Sequence, residues 1–273
     1  MGQERIIHAA LLGAGTVGSG VYKLVKDLEE EIISKTGARL VVDKILVRDT
    51  TKAREGIPSE LLIDRWDEIL NDPQIEIVIE VMGGIRPALT WLEEALRAGK
   101  QVVTANKDLL AEYGEQLFDA AEAGKCDLHF EAAVAGAIPI IRPLRQSLVA
   151  SELTEVMGIV NGTTNYILTR MTEDGMGYEE ALALATKLGY AESDPTADVE
   201  GYDAGRKVAI MASIAFNSNV TFSQVYTEGI THITAEDIRY AKEFGYVIKL
   251  IGMTRLTEGG VEVKVCLLYT SPS

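Results

Sequence analysis

Six residues near the start restrict the fold more than any others. Gly13-Ala-Gly15-Thr-Val-Gly18 follows the apolar run Ile6 to Leu12 and opens a segment in which Val17, Val21, Leu24, Val25, Leu28 and Ile32 recur at helical spacing until Gly37. The order is strand, tight turn, helix. In that context G-x-G-x-x-G has a physical reading: the first glycine permits the turn, the second lets backbone approach a pyrophosphate, and the third lets the helix pack closely. The amides of the helix start then face the anion. Gly13, Gly15, Thr16, Val17 and Gly18 are therefore candidate dinucleotide-binding residues.

The same rhythm continues. Leu40 to Val47, Ile75 to Met82, Gln101 to Val103 and Asp127 to Phe130 are strand-like, and helical patterns run from Pro87 to Leu96 and from Gly114 to Ala123. Alternating strands and helices predict an α/β fold with a doubly wound, Rossmann-like parallel sheet covered on both faces. Beyond Glu131 the pattern changes to a strand at Glu152 to Val160 and helices near Thr163 to Met171, Tyr178 to Leu188 and Val199 to Phe216. This predicts a nucleotide-binding domain over 1–135 and an α+β substrate and dimerisation domain over 136–265. Cys266 to Ser273 breaks the alternation of Val261, Val263 and Val265, so 266–273 is expected to be a non-native tail without regular structure.

A length of 273 residues, 47% of them apolar, suffices for two ordinary cores. The net charge of −15 would repel a phosphate backbone, which argues against a nucleic-acid partner. Cys126 and Cys266 make neither a disulfide framework nor a C-x-x-C zinc pattern. The longest uncharged apolar stretch, Ala132 to Ile141, is too short to span a membrane, and Met1-Gly-Gln-Glu4 begins no leader. The expectation is a cytoplasmic protein with no membrane partner.

Arg48 and Asp49 close the second strand, where an acid favours NAD and a cation tolerates the extra phosphate of NADP. Both are present, so either cofactor remains open, with a lean to NADP from Arg48. Thr104 and Lys107 follow the strand at Gln101, at the carboxyl edge where such sheets bind ligands; Lys107 can hydrogen-bond a substrate oxygen or be an ordinary surface lysine. A second set comprises Glu192, Asp198, Asp203 and Lys207. Asp203 and Lys207 are i, i+4 neighbours, which by itself describes an exposed helix ion pair. Lys207 also borders the apolar stripe Ala204, Val208, Met211 and Ala215, a position that suits a proton-carrying amine.

These residues lie in blocks that carry a resemblance: Val81-Met-Gly-Gly84, Gly99 through Lys107, Ala137-Ile-Pro-Ile-Ile141, Gly158-Ile-Val-Asn-Gly-Thr-Thr-Asn-Tyr-Ile167, and Gly189-Tyr-Ala-Glu-Ser-Asp-Pro195 through Lys207. From about Ile6 to Val265 the chain resembles homoserine dehydrogenase. The resemblance implies interconversion of L-homoserine and L-aspartate 4-semialdehyde with NADP or NAD, in threonine and methionine biosynthesis, by a homodimer or tetramer. By position it implies Lys207 as the catalytic acid/base, Lys107 near the nicotinamide and the substrate oxygen, and Glu192 and Asp203, supported by Asp198, on the substrate ammonium. It also implies a sodium ion on the Glu131 carboxylate and backbone oxygens around Val134, Gly136 and Ile138. A returning carboxyl-terminal segment and a regulatory domain belong to the family pattern and are not seen in these 273 residues. The expectation is therefore a piece that is unstable or weakly active by itself, with an inactive nucleotide-binding fragment as the alternative. Aspartate-semialdehyde dehydrogenase, a rival that shares a substrate, needs a cysteine nucleophile that Cys126 has no histidine motif to activate.

Overall fold

The computed structural model describes Arg5–Thr270. The reading of Met1–Glu4 as leaderless, and the last three residues of the expected tail, lie outside the described residues. The chain divides into two compact units, one up to Ala137 and one from Ile138.

The first unit runs β1 (Arg5–Leu12), α1 (Thr16–Asp27), α2 (Glu29–Thr36), β2 (Ala38–Leu46), β3 (Leu62–Ile63), α3 (Asp67–Leu70), β4 (Ile75–Glu80), α4 (Ala88–Arg97), β5 (Gln101–Thr104), α5 (Lys107–Gly124) and β6 (Leu128–His129). Its six strands form one sheet in the order β3-β2-β1-β4-β5-β6, paired in parallel throughout. Strand order reverses between β1 and β4, so a ligand crevice is expected outside their carboxyl ends. Ala9, Leu11, Val42, Ile45 and Ile79 pack with Tyr22 of α1 in the core.

Two helices differ from the sequence pattern. The helix read as continuous to Gly37 breaks at Leu28 (φ −106°, ψ 20°) into α1 and α2. Val17, Leu24 and Leu28 are 58%, 57% and 41% exposed, so the apolar spacing that suggested one long helix does not follow the buried face. The second, α5, begins at Lys107 rather than near Gly114. The Asn106 side chain accepts the Leu109 amide at 3.1 Å and caps the helix there, which moves Lys107 from a loop to the first helical position.

At the opposite edge of the sheet, Lys44 Nζ donates to the Asp72 carboxylate at 2.8 Å and to the Glu68 carbonyl at 2.7 Å. Lys100 donates to the carbonyls of Asp72 and Ile75 at 2.7 and 2.8 Å, and burial pushes its ammonium below the usual lysine range. The bond from Lys44, followed by the Gln74 amide, holds the Asp72 carboxyl below its ordinary value of 3.8. A depressed carboxylate contributes stability that is complete above the unfolded value and is lost as pH falls through the folded one. Asp72→Asn is therefore expected to lower Tm by about 2–4 °C at neutral pH. In melts run from pH 7 downward, the gap from the parent should close below pH 3.8; a gap independent of pH would remove this role.

The second unit contains β7 (Glu155–Gly158), α6 (Gly162–Asp174), α7 (Tyr178–Lys187), α8 (Thr196–Val199), α9 (Tyr202–Ala215), β8 (Tyr226–Thr227), α10 (Ala235–Glu243), β9 (Val247–Thr257) and β10 (Gly260–Thr270). Its sheet has the order β7-β9-β10-β8, antiparallel except where β8 joins β10. The helix α9 packs on β9 and β10, and α6 packs on β9. The predicted helix Val199 to Phe216 is interrupted by Gly201 in the left-handed region (φ 79°); a Cβ there would lie 2.4 Å from the Glu228 carbonyl. The expected loss of structure at Cys266 is not observed. Cys266 to Thr270 continue β10 and pair in register with Ile251 to Val247. Leu267, Leu268 and Tyr269 are partly exposed, so pairing rather than a buried face defines the strand there, and no alternation announces it.

Candidate active site

The nucleotide half-site starts at the turn between β1 and α1. Gly13 adopts φ 101°, and a Cβ on Gly18 would lie 2.1 Å from the Gly13 carbonyl, so α1 rests directly against the turn. Gly15, the N-cap of α1, has open space where a Cβ would be. No side chain caps α1 and no acid lies in its first turn, while its amides bond within the helix from Ser19 onward. The amides of Thr16, Val17 and Gly18 are thereby left to an anion at the positive end of the helix. An open cradle bounded by unclaimed amides fits the pyrophosphate of NAD(P).

At the end of β2, Asp49 is occupied by its own turn. Its Oδ1 accepts the Thr51 hydroxyl at 2.6 Å and the Thr51 amide at 2.9 Å, and these bonds hold its carboxyl below 3.8. Arg54 braces the loop through the carbonyls of Asp49 and Lys52. Arg48 and Asp49 are both exposed, and the hydrogen bonds to Asp49 come from Thr51.

At the carboxyl ends of β4 and β5, Glu80 is fully buried. Its Oε1 accepts the amides of Met82 and Gly83 at 2.8 and 3.0 Å, and its Oε2 accepts the Thr104 hydroxyl at 2.6 Å. The Thr104 oxygen accepts the Asn106 amide at 3.0 Å, and Asn106 Nδ2 donates to the Gly84 carbonyl at 2.7 Å. The Thr104 hydroxyl is thus engaged inside the protein, and Lys107 follows from the capped start of α5. Sequence reasoning missed Glu80 and Asn106. No local signal singles out Glu80, because β4 carries a second acid, Glu76, which is exposed while Glu80 is buried.

The expected sodium ligands fall on a short segment of unusual backbone. Glu131 begins a 3-10 turn, Val134 is fully buried, and Ala135 and Ala137, beside Gly136, adopt φ 51° and 69°. Ile138 belongs to the second unit. Cys126 donates its thiol to the Leu96 carbonyl at 3.2 Å, and burial raises its pKa, which describes an inert thiol.

The candidate substrate residues of the second unit meet around a residue given no role from the sequence, Asn161. Its Oδ1 accepts the Thr164 amide at 2.8 Å and so caps α6. Its Nδ2 donates to Asp198 at 2.7 Å and to Asp203 at 2.8 Å. Asp203 pairs with Lys207 at 2.6 Å, their side chains only 9% and 18% exposed. Lys207 also donates to the Val160 carbonyl at 2.8 Å. This pair is not an ordinary exposed helix ion pair: α8, α9 and the start of α6 hold it in one network. Two carboxylates, Asp198 and Asp203, thus meet at one amide, and carboxylates are the side chains that suit an ammonium ligand. Glu192 is not part of that network; it lies exposed in the loop before α8. The loop is held to α6 by the Thr163 hydroxyl on the Tyr190 carbonyl at 2.7 Å and by Tyr166 against Tyr190 at 4.6 Å.

The chain's relatives agree across both units. A family model for the homoserine dehydrogenase NAD binding domain matches residues 13–131, and a homoserine dehydrogenase model matches 139–272. The chain is 47% identical to a Bacillus subtilis homoserine dehydrogenase over 96% of its own length and 60% of that protein's. For the Corynebacterium glutamicum enzyme the identity is 50%, over 92% and 57%. A crystal structure of a homoserine dehydrogenase from Thiobacillus denitrificans superposes with TM-score 0.91 at 44% identity, over 97% of this chain and 62% of that one. A putative homoserine dehydrogenase from Archaeoglobus fulgidus gives 0.83 at 33% identity, over 97% and 84%. The chain spans about 60% of the length of the curated relatives it matches. No helix among the described residues is long and apolar enough to cross a membrane.

Proposed function

We propose, because this chain belongs to the homoserine dehydrogenase family, that the protein interconverts L-homoserine and L-aspartate 4-semialdehyde with NAD(P). The observation that carries the reading is the network of Asn161, Asp198, Asp203 and Lys207, built on the buried Asn161 and Asp203, which provides a proton-carrying amine and carboxylates for an amino-acid substrate. The nicotinamide, when bound, supplies the hydride acceptor for the carbinol carbon. In oxidation the Lys207 amine takes the hydroxyl proton, and in reduction its ammonium returns that proton to the aldehyde oxygen. Asp203 and the Val160 carbonyl fix Nζ, and Asn161 fixes Asp203. Lys107, at the first position of α5, orients the substrate oxygen. Homoserine-dependent reduction of NADP is the test, and a protein that binds NADPH yet reduces no cofactor with homoserine would contradict the reading.

Glu192 and Asp203 hold the substrate ammonium, each charge-assisted contact contributing roughly 1.5–3 kcal/mol. Glu192→Gln, outside the lysine network, is expected to raise the homoserine KM by about tenfold or more with the cofactor KM unchanged. Asp203→Asn should lower kcat as well, because Asp203 also positions Lys207. A Glu192→Gln effect on the cofactor KM alone would reassign that carboxylate.

The finer cofactor choice is NADP. Support comes from Asp49 being committed to Thr51, which leaves Arg48 to meet a ribose phosphate. Arg48→Ala is expected to weaken NADP by about tenfold and NAD by less than about twofold. Equal losses would exclude a phosphate contact. A sodium ion on Glu131 and the backbone oxygens of Val134, Gly136 and Ile138 is supported by the two left-handed alanines, a conformation that persists only where surroundings enforce it. Hard oxygen donors suit such a cation. A cytoplasmic homodimer or tetramer completes the proposal; for the location, two free cysteines fit a reducing compartment.

A further inference from the structure

We infer that Glu80 is a positioning residue of the nucleotide half-site, joining three of its loops through one buried carboxylate; the inference rests on the NAD(P) reading above. Glu80 is the last residue of β4 and lies in the row Leu12–Glu80–Thr104, on the carboxyl rim where the strand order reverses. Burying a carboxylate there is costly unless its oxygens are satisfied, and an apolar residue would close the strand at lower cost. What the charge achieves is geometry. Through Met82 and Gly83 it draws two successive amides of the β4 loop inward, ahead of Gly83 and Gly84 at φ 72° and 74°. The same loop backs the glycine turn, since a Cβ on Gly13 would lie 3.2 Å from Met82 Cα and from the Val81 carbonyl.

Through Thr104 the carboxylate also fixes the β5 loop. The Thr104 oxygen takes the Asn106 amide, Asn106 closes the ring on the Gly84 carbonyl, and its Oδ1 sets where α5 begins. Lys107 is the first residue beyond that cap. One carboxylate therefore sets the wall of the dinucleotide turn, the β4 loop and the origin of Lys107. Its removal should be felt as a misplaced cofactor rather than as an unfolded protein.

The test compares the parent with Glu80→Gln, Thr104→Val and Thr104→Ser. NADPH Kd is read by the ligand's own fluorescence, beside thermal melts and steady-state homoserine oxidation. Glu80→Gln reverses the polarity of the bond to Thr104, and Thr104→Val deletes the hydroxyl at constant shape. Both are expected to melt cooperatively, to raise the NADPH Kd by about tenfold, and to lower kcat while the homoserine KM moves far less. Thr104→Ser, which restores the hydroxyl, should recover most of the affinity that valine loses. Cooperatively melting variants with the parent's Kd would overturn the inference, and if Glu80→Gln does not fold, Thr104→Val decides alone. A parent that binds NADPH but leaves homoserine untouched overturns the dehydrogenase reading only, because the ratio of Kd values still decides on Glu80. A parent that binds no NADPH overturns both.

Discussion

Replacing Lys207 by alanine is expected to lower kcat for homoserine oxidation by about 10²- to 10⁴-fold, the range of a lost general acid or base, with NADPH affinity unchanged. The affinity should persist because the residues proposed to hold the nucleotide, from Gly13 to Lys107, belong to the first unit. The structure adds a consequence that the i, i+4 spacing does not contain. Lys207 is a cationic partner of Asp203, which is 6% exposed, so alanine removes one side of a largely buried ion pair while the Asn161 bond remains. Breaking such a pair costs about 3–5 kcal/mol when burial is complete, and the melt should shift along with the rate. Lys207→Arg separates the two effects. It keeps the counter-charge, and so most of the stability, but a guanidinium does not release its proton near neutral pH and turnover should stay low. An arginine variant with parental kcat would remove the proton-transfer role.

The second large effect distinguishes two glycines of one motif. Gly15→Ala is expected to leave Tm within about 2 °C and to weaken NADPH binding by at least about tenfold, because the added methyl meets no protein atom and enters the cradle instead. Gly18→Ala should be lost to the fold first. Its methyl would lie 2.1 Å from the Gly13 carbonyl and 2.8 Å from its carbon, and α1 would have to back away from the turn. An overpacking cost of about 1–3 kcal/mol or more is expected from such a clash. Parallel titration and melting of the two variants check this. If Gly15→Ala bound NADPH as the parent does, the anion would not approach the turn where the glycine motif predicts it.

The first unit was legible because its signals are local. A strand, a glycine turn and a helix follow one another within thirty residues, and the parallel sheet repeats that period. Helix limits were harder to read, since they are set by individual caps: Asn106 starts α5 and Gly201 divides α8 from α9, against an apolar periodicity that suggested otherwise. In the second unit β9 and β10 pair over eleven residues each, yet the alternation of Val261, Val263 and Val265 stops halfway along β10 and does not show how far the pairing runs. The site divides in the same way. Gly13, Lys107, Asp203 and Lys207 stand out by motif or spacing, whereas Glu80 and Asn161 act through partners 24 and 42 positions away, which no local pattern records.

The most direct test is hydride transfer itself. Homoserine deuterated at C4 is incubated with the protein and NADP, and the recovered NADPH is analysed for the label. Deuterium is expected on the nicotinamide ring with the parent protein and almost none with Lys207→Ala over the same interval. NADPH formed without label, or labelled equally in both, would contradict it.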